Sequence, residues 1–169
     1  MAEATDIRAA MQRLEDLEAI KRLKYKYLRC VDCKLLEGLG ECFTEDATTS
    51  YEGGKHSLAG REAILRFFSS DDFRRIVTMH HVHHPEIEIT GSGSARATWS
   101  LEDYVIDTRA NWTLHGGALY EDEYVRANGE WRIKHTGFVR IFWERWSRAD
   151  LKSLQLIENM HARQAPGGA

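Results

Sequence analysis

The stretch that decides the fold is IVTMHHVHHPEIEITGSGSARATWSLEDYVID, residues 76–107. Its apolar residues recur with a period of two on both sides of the GSGS segment at 91–94, which is typical of two long antiparallel strands joined by a hairpin turn. Pro85 lies inside the first strand and predicts a bend or bulge there. Strands of twelve or more residues must twist and coil, so this stretch predicts a strongly curved sheet.

Two more strands are predicted downstream. Residues 115–126 and 131–146 keep the period of two, and Asn128-Gly129 between them is a strong hairpin signal. Gly137 predicts a kink in the last strand. A polar helix or an extended segment is predicted for 150–161.

The part of the chain before residue 76 has a helical pattern. Leucine, isoleucine, valine and tyrosine side chains recur at three- and four-residue spacing and predict an amphipathic helix over about 7–32, capped by Thr5 or Asp6. The intervening charged residues are predicted to face solvent: Glu15, Asp16, Glu18, Lys21, Arg22 and Lys24. A shorter helix is predicted at 35–43, a short strand at 48–51 and a third helix at 61–68.

Helices that precede long antiparallel strands predict an α+β fold. We expect a cone-shaped, curved mixed or antiparallel sheet packed on the long N-terminal helix, with a ligand cavity between them. The length of 169 residues suits one domain, which we assign to residues 1–162. Residues 163–169 are predicted to be a disordered tail.

The composition excludes several function classes. The net charge is −3 and no basic stripe is present, which argues against nucleic acid as a partner. No apolar run approaches the roughly 20 residues that cross a bilayer, and the N-terminus lacks a signal-peptide core. We therefore expect a cytoplasmic protein that does not bind membranes.

Three cysteines do not make a disulfide framework. Cys30 and Cys33 form a C-x-x-C pair, but the pair follows the first helix instead of beginning one, so a redox role is disfavoured. No second pair is present to complete a zinc site. Small core-facing or half-buried side chains are the simpler interpretation.

The run MHHVHH at 79–84 holds the densest histidine cluster. Residues alternate between the two faces of a strand, so at most half of these imidazoles can face one cavity. Alternate residues of one strand converge poorly on a metal ion. A single histidine acting as general base is the functional alternative, and exposed or hydrogen-bonded histidines are the simpler one.

Two polar residues near the end of the first helix are candidates for the cavity. Tyr27 lies on the same apolar stripe as Leu23 and Val31 and is predicted to face inward. Asp32 is about 140° further around a regular helix, so the two side chains converge only if the helix ends or bends there, or if they line opposite walls. A core tyrosine and a solvent-facing aspartate are the simpler interpretations.

Two more candidates lie on later strands. Asp103 shares a face with Trp99 and Leu101, where a carboxylate is costly unless it is paired. His80 on the neighbouring strand is the predicted partner, and Asp103 would fix its tautomer. Arg140 lies among apolar residues of the last strand. Its guanidinium either extends to the sheet edge or has a role in the site. In the second case it would bind an anionic or carbonyl oxygen of a ligand, or the Asp32 carboxylate.

These motifs carry a family resemblance. The order of elements resembles the nuclear-transport-factor-2-like, or SnoaL-like, cone fold, which is also called cystatin-like. Within it the chain is most similar to the bile acid 7α-dehydratases, which are distant relatives of scytalone dehydratase. The similarity spans about residues 14–146. It rests on five motifs: KYLRCVD at 26–32, the stretch from MH at 79–80 to PEI at 85–87, WSLED at 99–103, GGA at 116–118 and TGFVRI at 136–141.

The resemblance implies a site made of Tyr27, Asp32, His80, Asp103 and Arg140. It implies dehydration of a hydroxy-carbonyl compound without a metal or organic cofactor, in which His80 removes a proton and Tyr27 hydrogen-bonds the carbonyl oxygen. The implied substrate is a hydrophobic small molecule, such as a 7α-hydroxy-3-oxo-4-ene steroid or its acyl-coenzyme A form. Four aromatic residues are candidates for the pocket mouth: Tyr51, Trp112, Trp143 and Trp146.

Two other functions fit the same fold. An isomerase or cyclase would use the same base but expel no water. A non-catalytic binding or oligomerisation module is the third possibility, because a fold does not determine a function. The exposed rim of a curved sheet favours self-association, so we also expect a homo-oligomer, either a trimer or a dimer.

Overall fold

The computed structural model describes residues 2–162. The expected tail at 163–169 lies outside the described residues. Over the described range the chain forms one sheet packed against helices from the first half of the sequence. The elements are α1 (Ala2–Asp32), α2 (Leu36–Gly40), β1 (Phe43–Tyr51), β2 (His56–Ala59), α3 (Arg61–Phe68), α4 (Asp71–Arg75), β3 (Ile76–Gly91), β4 (Ser94–Asp107), β5 (Trp112–Ala127), β6 (Glu130–Ser147) and a 3₁₀ turn (Arg148–Asp150).

The strands lie in the spatial order β2-β1-β6-β5-β4-β3. All neighbouring strands are antiparallel except β1 and β6, which are parallel. The sheet is curved and does not close on itself. The α+β cone with a mixed sheet and a long N-terminal helix is thereby confirmed.

α1 packs on the sheet through one stripe of buried side chains that includes Ile20, Leu23 and Val31. Two charged residues that we expected to face solvent are buried instead. Lys24 is completely buried beside Asp122, and Asp16 is buried against Arg126 and Trp131. The expected solvent-facing stripe was wrong at both positions because an ion pair compensates the cost of burying each charge.

Register shifts between neighbouring strands mark the points where the sheet is irregular. The register of β3 against β4 shifts between His83 and Glu86, and His84 has a φ of 48°, so the bulge predicted near Pro85 is confirmed. No register shift falls at Gly137 itself, so the kink predicted there stays a prediction. The shifts in β6 fall beside Lys134 and Ile141, whereas Gly137 is needed for close approach, since a Cβ there would lie 2.7 Å from the Ser50 carbonyl oxygen.

Several element bounds differ from the prediction. α1 begins at residue 2, so neither Thr5 nor Asp6 caps it, and α2 and β1 divide the 35–51 region differently. β2 and α4 were not predicted, because each has only four or five residues and too short a pattern. After the 3₁₀ turn, residues 151–162 form no regular element. Of the two predictions for this segment, a polar helix or an extended segment, the helix is therefore wrong. No helix among the described residues is long and apolar enough to span a bilayer.

Candidate active site

The inner face of the sheet, α1 and the α3–α4 pair enclose a cavity of about 230 Å³. α3 and α4 supply aromatic side chains that pack edge-on against each other, as Phe68 and Phe73 do with ring centroids 4.8 Å apart. The strands supply further rings from the opposite wall. The aromatic residues of the lining are Tyr27, Tyr51, Phe67, Phe68, Phe73, Trp112, Tyr120 and Phe138.

Four of the five candidate residues line this cavity: Tyr27, His80, Asp103 and Arg140. Asp32, the last residue of α1, lies directly behind His80 in the groove between α1 and β3. The structure therefore brings the five residues together. Tyr27 faces the cavity itself, whereas Asp32 reaches it only through His80.

Asp32 is held by three hydrogen bonds from β3. Its Oδ1 accepts from the Thr78 hydroxyl at 2.9 Å and lies 2.6 Å from His80 Nδ1, while its Oδ2 accepts from the His80 backbone N–H at 2.9 Å. An ionised carboxylate can only accept, so His80 Nδ1 carries the proton. In the neutral form of this imidazole, the lone pair is then on Nε2. This is the tautomer and orientation that a general base requires.

The predicted partnership of His80 with Asp103 was wrong. The two residues are register partners on β3 and β4, so their adjacency was inferred correctly. The Asp103 carboxylate, however, accepts two hydrogen bonds from Arg140, at 2.5 and 2.8 Å. The planar guanidinium matches a carboxylate in two-point geometry, which an imidazole cannot do. The carboxylate that orients His80 comes from the helix instead.

The Arg140–Asp103 pair depends on local features of the sheet. The bulge at Ile141 changes the direction of the β6 side chains immediately after Arg140. On β5, a Cβ at Gly116 would lie 2.6 Å from Arg140 Nη1 and 3.0 Å from Asp103 Oδ1. Any larger residue at position 116 would therefore displace the Arg140–Asp103 pair. The Nε atom of Arg140 is buried, and no described residue accepts a hydrogen bond from it.

Three tyrosines form a phenol cluster in the wall of the cavity. The hydroxyls of Tyr27 and Tyr51 are 3.0 Å apart, and the Tyr120 ring lies beside Tyr27. Burial is the main cause that raises the pKa of Tyr27 and Tyr120 well above the usual phenol value, and it raises the pKa of Tyr51 as well. All three phenols are therefore neutral hydrogen-bond donors at physiological pH.

A buried ion pair supports this cluster from behind. The Lys24 ammonium lies 2.7 Å from Asp122 Oδ2 and 3.4 Å from the centroid of the Tyr120 ring. Asp122 also accepts hydrogen bonds from the hydroxyls of Tyr124 and Thr136, at 2.6 and 2.7 Å. Burial lowers the pKa of Lys24, and the Asp122 charge partly offsets this effect.

The remaining histidines of the 80–84 run do not reach the cavity. His81 and His83 are exposed and project from the opposite face of β3, with ring centroids 6.1 Å apart. Within residues 2–162, no three histidine, cysteine, aspartate or glutamate side chains are grouped as metal ligands. Cys30, Cys33 and Cys42 are free thiols, Cys30 is buried and Cys33 is half-buried, as the simpler interpretation of the C-x-x-C pair predicted.

Sequence reasoning missed Thr78 and Tyr120 as parts of the site. Both could have been found from the period of two, since Thr78 shares a face with His80, and Tyr120 shares one with Ala118 and Asp122. Of the four residues proposed for the mouth, Tyr51 and Trp112 line the cavity. Trp143 is exposed, and Trp146 packs with Tyr104 on the opposite face of the sheet.

A larger depression of about 740 Å³ lies over β3–β6, and none of the five candidate residues lines it. Its lining is mainly charged: Glu86, Glu88, Arg96, Glu121, Asp122 and Glu123. Its one imidazole, His135, is 2.7 Å from the Thr48 hydroxyl through Nδ1. The aromatic cavity is the better candidate because it combines an oriented imidazole, phenol donors and a guanidinium around an apolar space.

Comparison with known proteins agrees with this architecture. A provisionally named scytalone dehydratase from Novosphingobium aromaticivorans DSM 12444 superposes with a TM-score of 0.73 at 20% identity, over 80% of this chain and 90% of that chain. Hexachlorocyclohexane dehydrochlorinase LinA-type3 from Novosphingobium barchaimii LL02 gives 0.76 at 17% identity, over 89% and 99%. An NTF2-like protein with a cystatin-like fold from N. aromaticivorans gives 0.71 at 19% identity, over 81% and 89%.

Identities this low establish the fold alone. A family model provides the stronger assignment, because it matches a continuous segment that begins in α1 and ends in β6. The segment is residues 12–137, about three quarters of the sequence, and the model describes a SnoaL-like domain. The chain therefore belongs to the SnoaL-like domain family.

Proposed function

We propose that the protein is a cofactor-independent lyase that dehydrates a hydroxy-carbonyl compound, with His80 as its general base. The observation that carries the proposal is the 2.6 Å contact between His80 Nδ1 and Asp32, which leaves the Nε2 lone pair at the wall of an aromatic cavity. A pocket that only bound a ligand would not need an oriented imidazole with a carboxylate behind it.

In the first step, His80 Nε2 removes a proton from a carbon that is activated by a conjugated carbonyl group. The Asp32 carboxylate stabilises the imidazolium that forms. The side chains of His80 and Asp32 are only 14% and 19% exposed, so water screens the interaction weakly. The abstracted proton is held on His80.

The developing enolate oxygen needs hydrogen-bond donors. Tyr27 is a suitable donor because burial keeps its phenol protonated. Arg140 is the second, since its buried Nε has no acceptor among the described residues and its two Nη atoms are held by Asp103. A substrate oxygen at Nε would complete the hydrogen bonding of the guanidinium.

In the second step the C–O bond to the hydroxyl group breaks. The imidazolium of His80 donates its proton to the departing oxygen, so that water leaves and the base returns to its neutral form. One C–H and one C–O bond are lost, and a conjugated carbon–carbon double bond is gained. No electron acceptor is required.

Two observations are consistent with an elimination. The names of two similar structures, a dehydratase and a dehydrochlorinase, both denote eliminations. The site also combines a single base with donors for an enolate oxygen, which is the minimum an elimination next to a carbonyl requires. We also propose that, within the SnoaL-like family, this chain is most similar to the bile acid 7α-dehydratases.

The cavity suits an apolar substrate with one polar end. Its volume of about 230 Å³ is below the roughly 300–1,000 Å³ of sites that enclose drug-sized ligands. A steroid would therefore have only its reacting rings enclosed, with the rest of the molecule extending through the mouth. A 7α-hydroxy-3-oxo-4-ene steroid, free or as an acyl-coenzyme A thioester, is the first substrate to test.

The experiment mixes the purified protein with each steroid and follows the conjugated dienone by absorbance and the product by mass. We expect a product lighter by one water, a rate that a strong chelator leaves unchanged, and no reaction with His80→Ala. His81→Ala is the matched control, because its imidazole projects from the opposite face of the same strand. A product of unchanged mass would indicate an isomerase or cyclase, and full activity of His80→Ala would exclude the proposed base.

We also propose that the protein is a homo-oligomer, either a trimer or a dimer. The sheet face opposite the cavity carries large exposed apolar side chains. Leu119 lies beside its register partner Val139, and Phe142 lies across from Gly117, which has no side chain to cover it. Exposed apolar patches of this kind mark association surfaces. Analytical ultracentrifugation should show an oligomer that Val139→Glu dissociates, and a monomeric wild-type protein would contradict the proposal.

A further inference from the structure

Lys34 occupies an unusual backbone position directly after α1. The backbone N–H of Leu35 donates to the Cys30 carbonyl, and that of Lys34 donates to the Val31 carbonyl, which is the Schellman arrangement that ends many helices. In this arrangement Lys34 has a φ of 58°, in the left-handed region that favours glycine. A lysine therefore occupies a position where glycine would cost less, which suggests that its side chain has a role.

The side chain of Lys34 leads toward the His80–Asp32 pair. Its ammonium lies 3.4 Å from the Thr78 hydroxyl oxygen and 3.8 Å from the centroid of the Phe73 ring. Thr78 in turn donates to the same Asp32 oxygen that contacts His80 Nδ1. A chain of hydrogen bonds thus runs from Lys34 through Thr78 and Asp32 to the imidazole.

We propose that Lys34 is a positioning residue that acts through Thr78 to orient Asp32 and to balance its charge, which favours the proton-accepting form of His80. A carboxylate 2.6 Å from an imidazole favours the imidazolium, which cannot act as a base. The ammonium of Lys34, which is two hydrogen bonds away from Asp32, opposes this effect because it repels the charge of an imidazolium. The inference rests on the proposed function of His80 as general base.

The local surroundings support a charged Lys34 at neutral pH. Burial lowers the pKa of Lys34 to about 8, and the nearby Asp32 and Cys33 act in the opposite direction. From α4 the facing group is the Phe73 ring, which also favours the cation. From β3 the facing groups are Thr78 and, beyond Asp32, the titratable His80. The ammonium form therefore predominates at pH 7.

The experiment measures the titration of the His80 imidazole by NMR in the wild type, Lys34→Gly and Lys34→Arg, with the resonance identified by its loss in His80→Gln. Lys34→Gly removes the charge and installs the residue that the left-handed backbone prefers, so the fold and the melting temperature should be preserved. We expect its His80 midpoint to move to higher pH by about half a unit or more. Lys34→Arg keeps a permanent charge and should restore the wild-type midpoint.

Asn128→Gly is the matched control for the backbone change, because Asn128 also has a positive φ, of 53°, in a distant hairpin. It should leave the titration of His80 unchanged. With a substrate in hand, the acidic limb of kcat/KM should move to higher pH in Lys34→Gly alone. A folded Lys34→Gly variant with the wild-type His80 midpoint would overturn the role of Lys34. Full activity of His80→Ala would instead overturn the proposed function. The NMR titration tests the role of Lys34 without any substrate, so it distinguishes failure of that role from failure of the proposed function.

Discussion

The imidazole of His80 is hydrogen-bonded to Asp32, which lies at the end of a helix, although its register partner on the neighbouring strand is Asp103. The two carboxylates therefore have separate tasks. Asp32 determines which nitrogen of the base carries the proton, and Asp103 determines where the guanidinium of Arg140 points. Substitutions at the two positions should have different signatures.

Asp32→Asn should lower kcat/KM by about 10²–10⁴-fold, because an amide that turns its NH₂ toward Nδ1 favours the wrong tautomer. Steady-state kinetics with NMR of His80 would measure both effects. Asp103→Asn should leave the tautomer of His80 unchanged and reduce activity through Arg140. The opposite pattern, in which Asp103→Asn alters His80 and Asp32→Asn does not, would contradict the assignment.

Gly116→Ala should disrupt the Arg140–Asp103 pair without unfolding the protein. The added methyl group would lie 2.6 Å from Arg140 Nη1, so the guanidinium must move. A displacement of about 1 Å at such a site costs on the order of 10²-fold in rate, which kinetics would detect. The control is Gly117→Ala, whose methyl group would meet the exposed, movable Phe142 ring at 2.8 Å. Equal losses in the two variants would argue against a specific role for Gly116.

How much of this could be predicted from the sequence depends on the range of the interaction. Local signals were sufficient for the helix at 61–68 and the hairpins at 91–94 and 128–129, because turn residues and short-range periodicity determine them. The adjacency of His80 and Asp103 also followed from counting back from a hairpin. The mixed connection of β1 with β6 joins distant segments, and no local pattern encodes it.

The errors at the site have the same origin. Lys24 and Asp103 were each identified as charged residues, but their partners, Asp122 and Arg140, come from strands far along the sequence. A single sequence gives the side-chain type and the face, whereas the choice among several possible partners depends on distances of a few ångströms. His80 had two carboxylates within reach, and only the three-dimensional structure distinguishes them.

Lys24→Met should destabilise the fold by about 3–5 kcal/mol, because it leaves the Asp122 carboxylate buried without its counter-charge. Urea unfolding would measure the change, and the double variant Lys24→Met/Asp122→Asn should recover part of the loss. Lys21→Met is the surface control, since its pairing with Glu18 at 3.9 Å is exposed and worth less than about 1 kcal/mol. Equal effects of the two single variants would mean that the Lys24–Asp122 pair adds no stability.

The free energy of unfolding should fall as the pH rises above about 9. Burial raises the pKa of the Cys42 thiol from 9.0 to about 12, and burial raises the pKa of the buried tyrosines above their usual 10.0. Groups with a raised folded-state pKa keep their proton longer when folded, so the unfolded state binds fewer protons above pH 9. Their contribution is complete below pH 9 and is lost as the pH rises through the folded-state values.

Urea titrations between pH 8 and about 11 would measure this decline, with phenolate absorbance reporting the tyrosines. Tyr25 and Tyr104 are exposed and are replaced by phenylalanine for this measurement. The phenolate of the four buried tyrosines should then appear together with unfolding, because their ionisation requires exposure. Lys24 has the opposite effect, since burial lowers its pKa and the unfolded state binds more protons up to 10.5. Lys34, whose pKa burial lowers to about 8, acts in the same direction as Lys24. Four buried tyrosines and one thiol oppose these two lysines. Stability that stayed constant or rose to pH 11 would contradict the raised pKa values of the buried phenols.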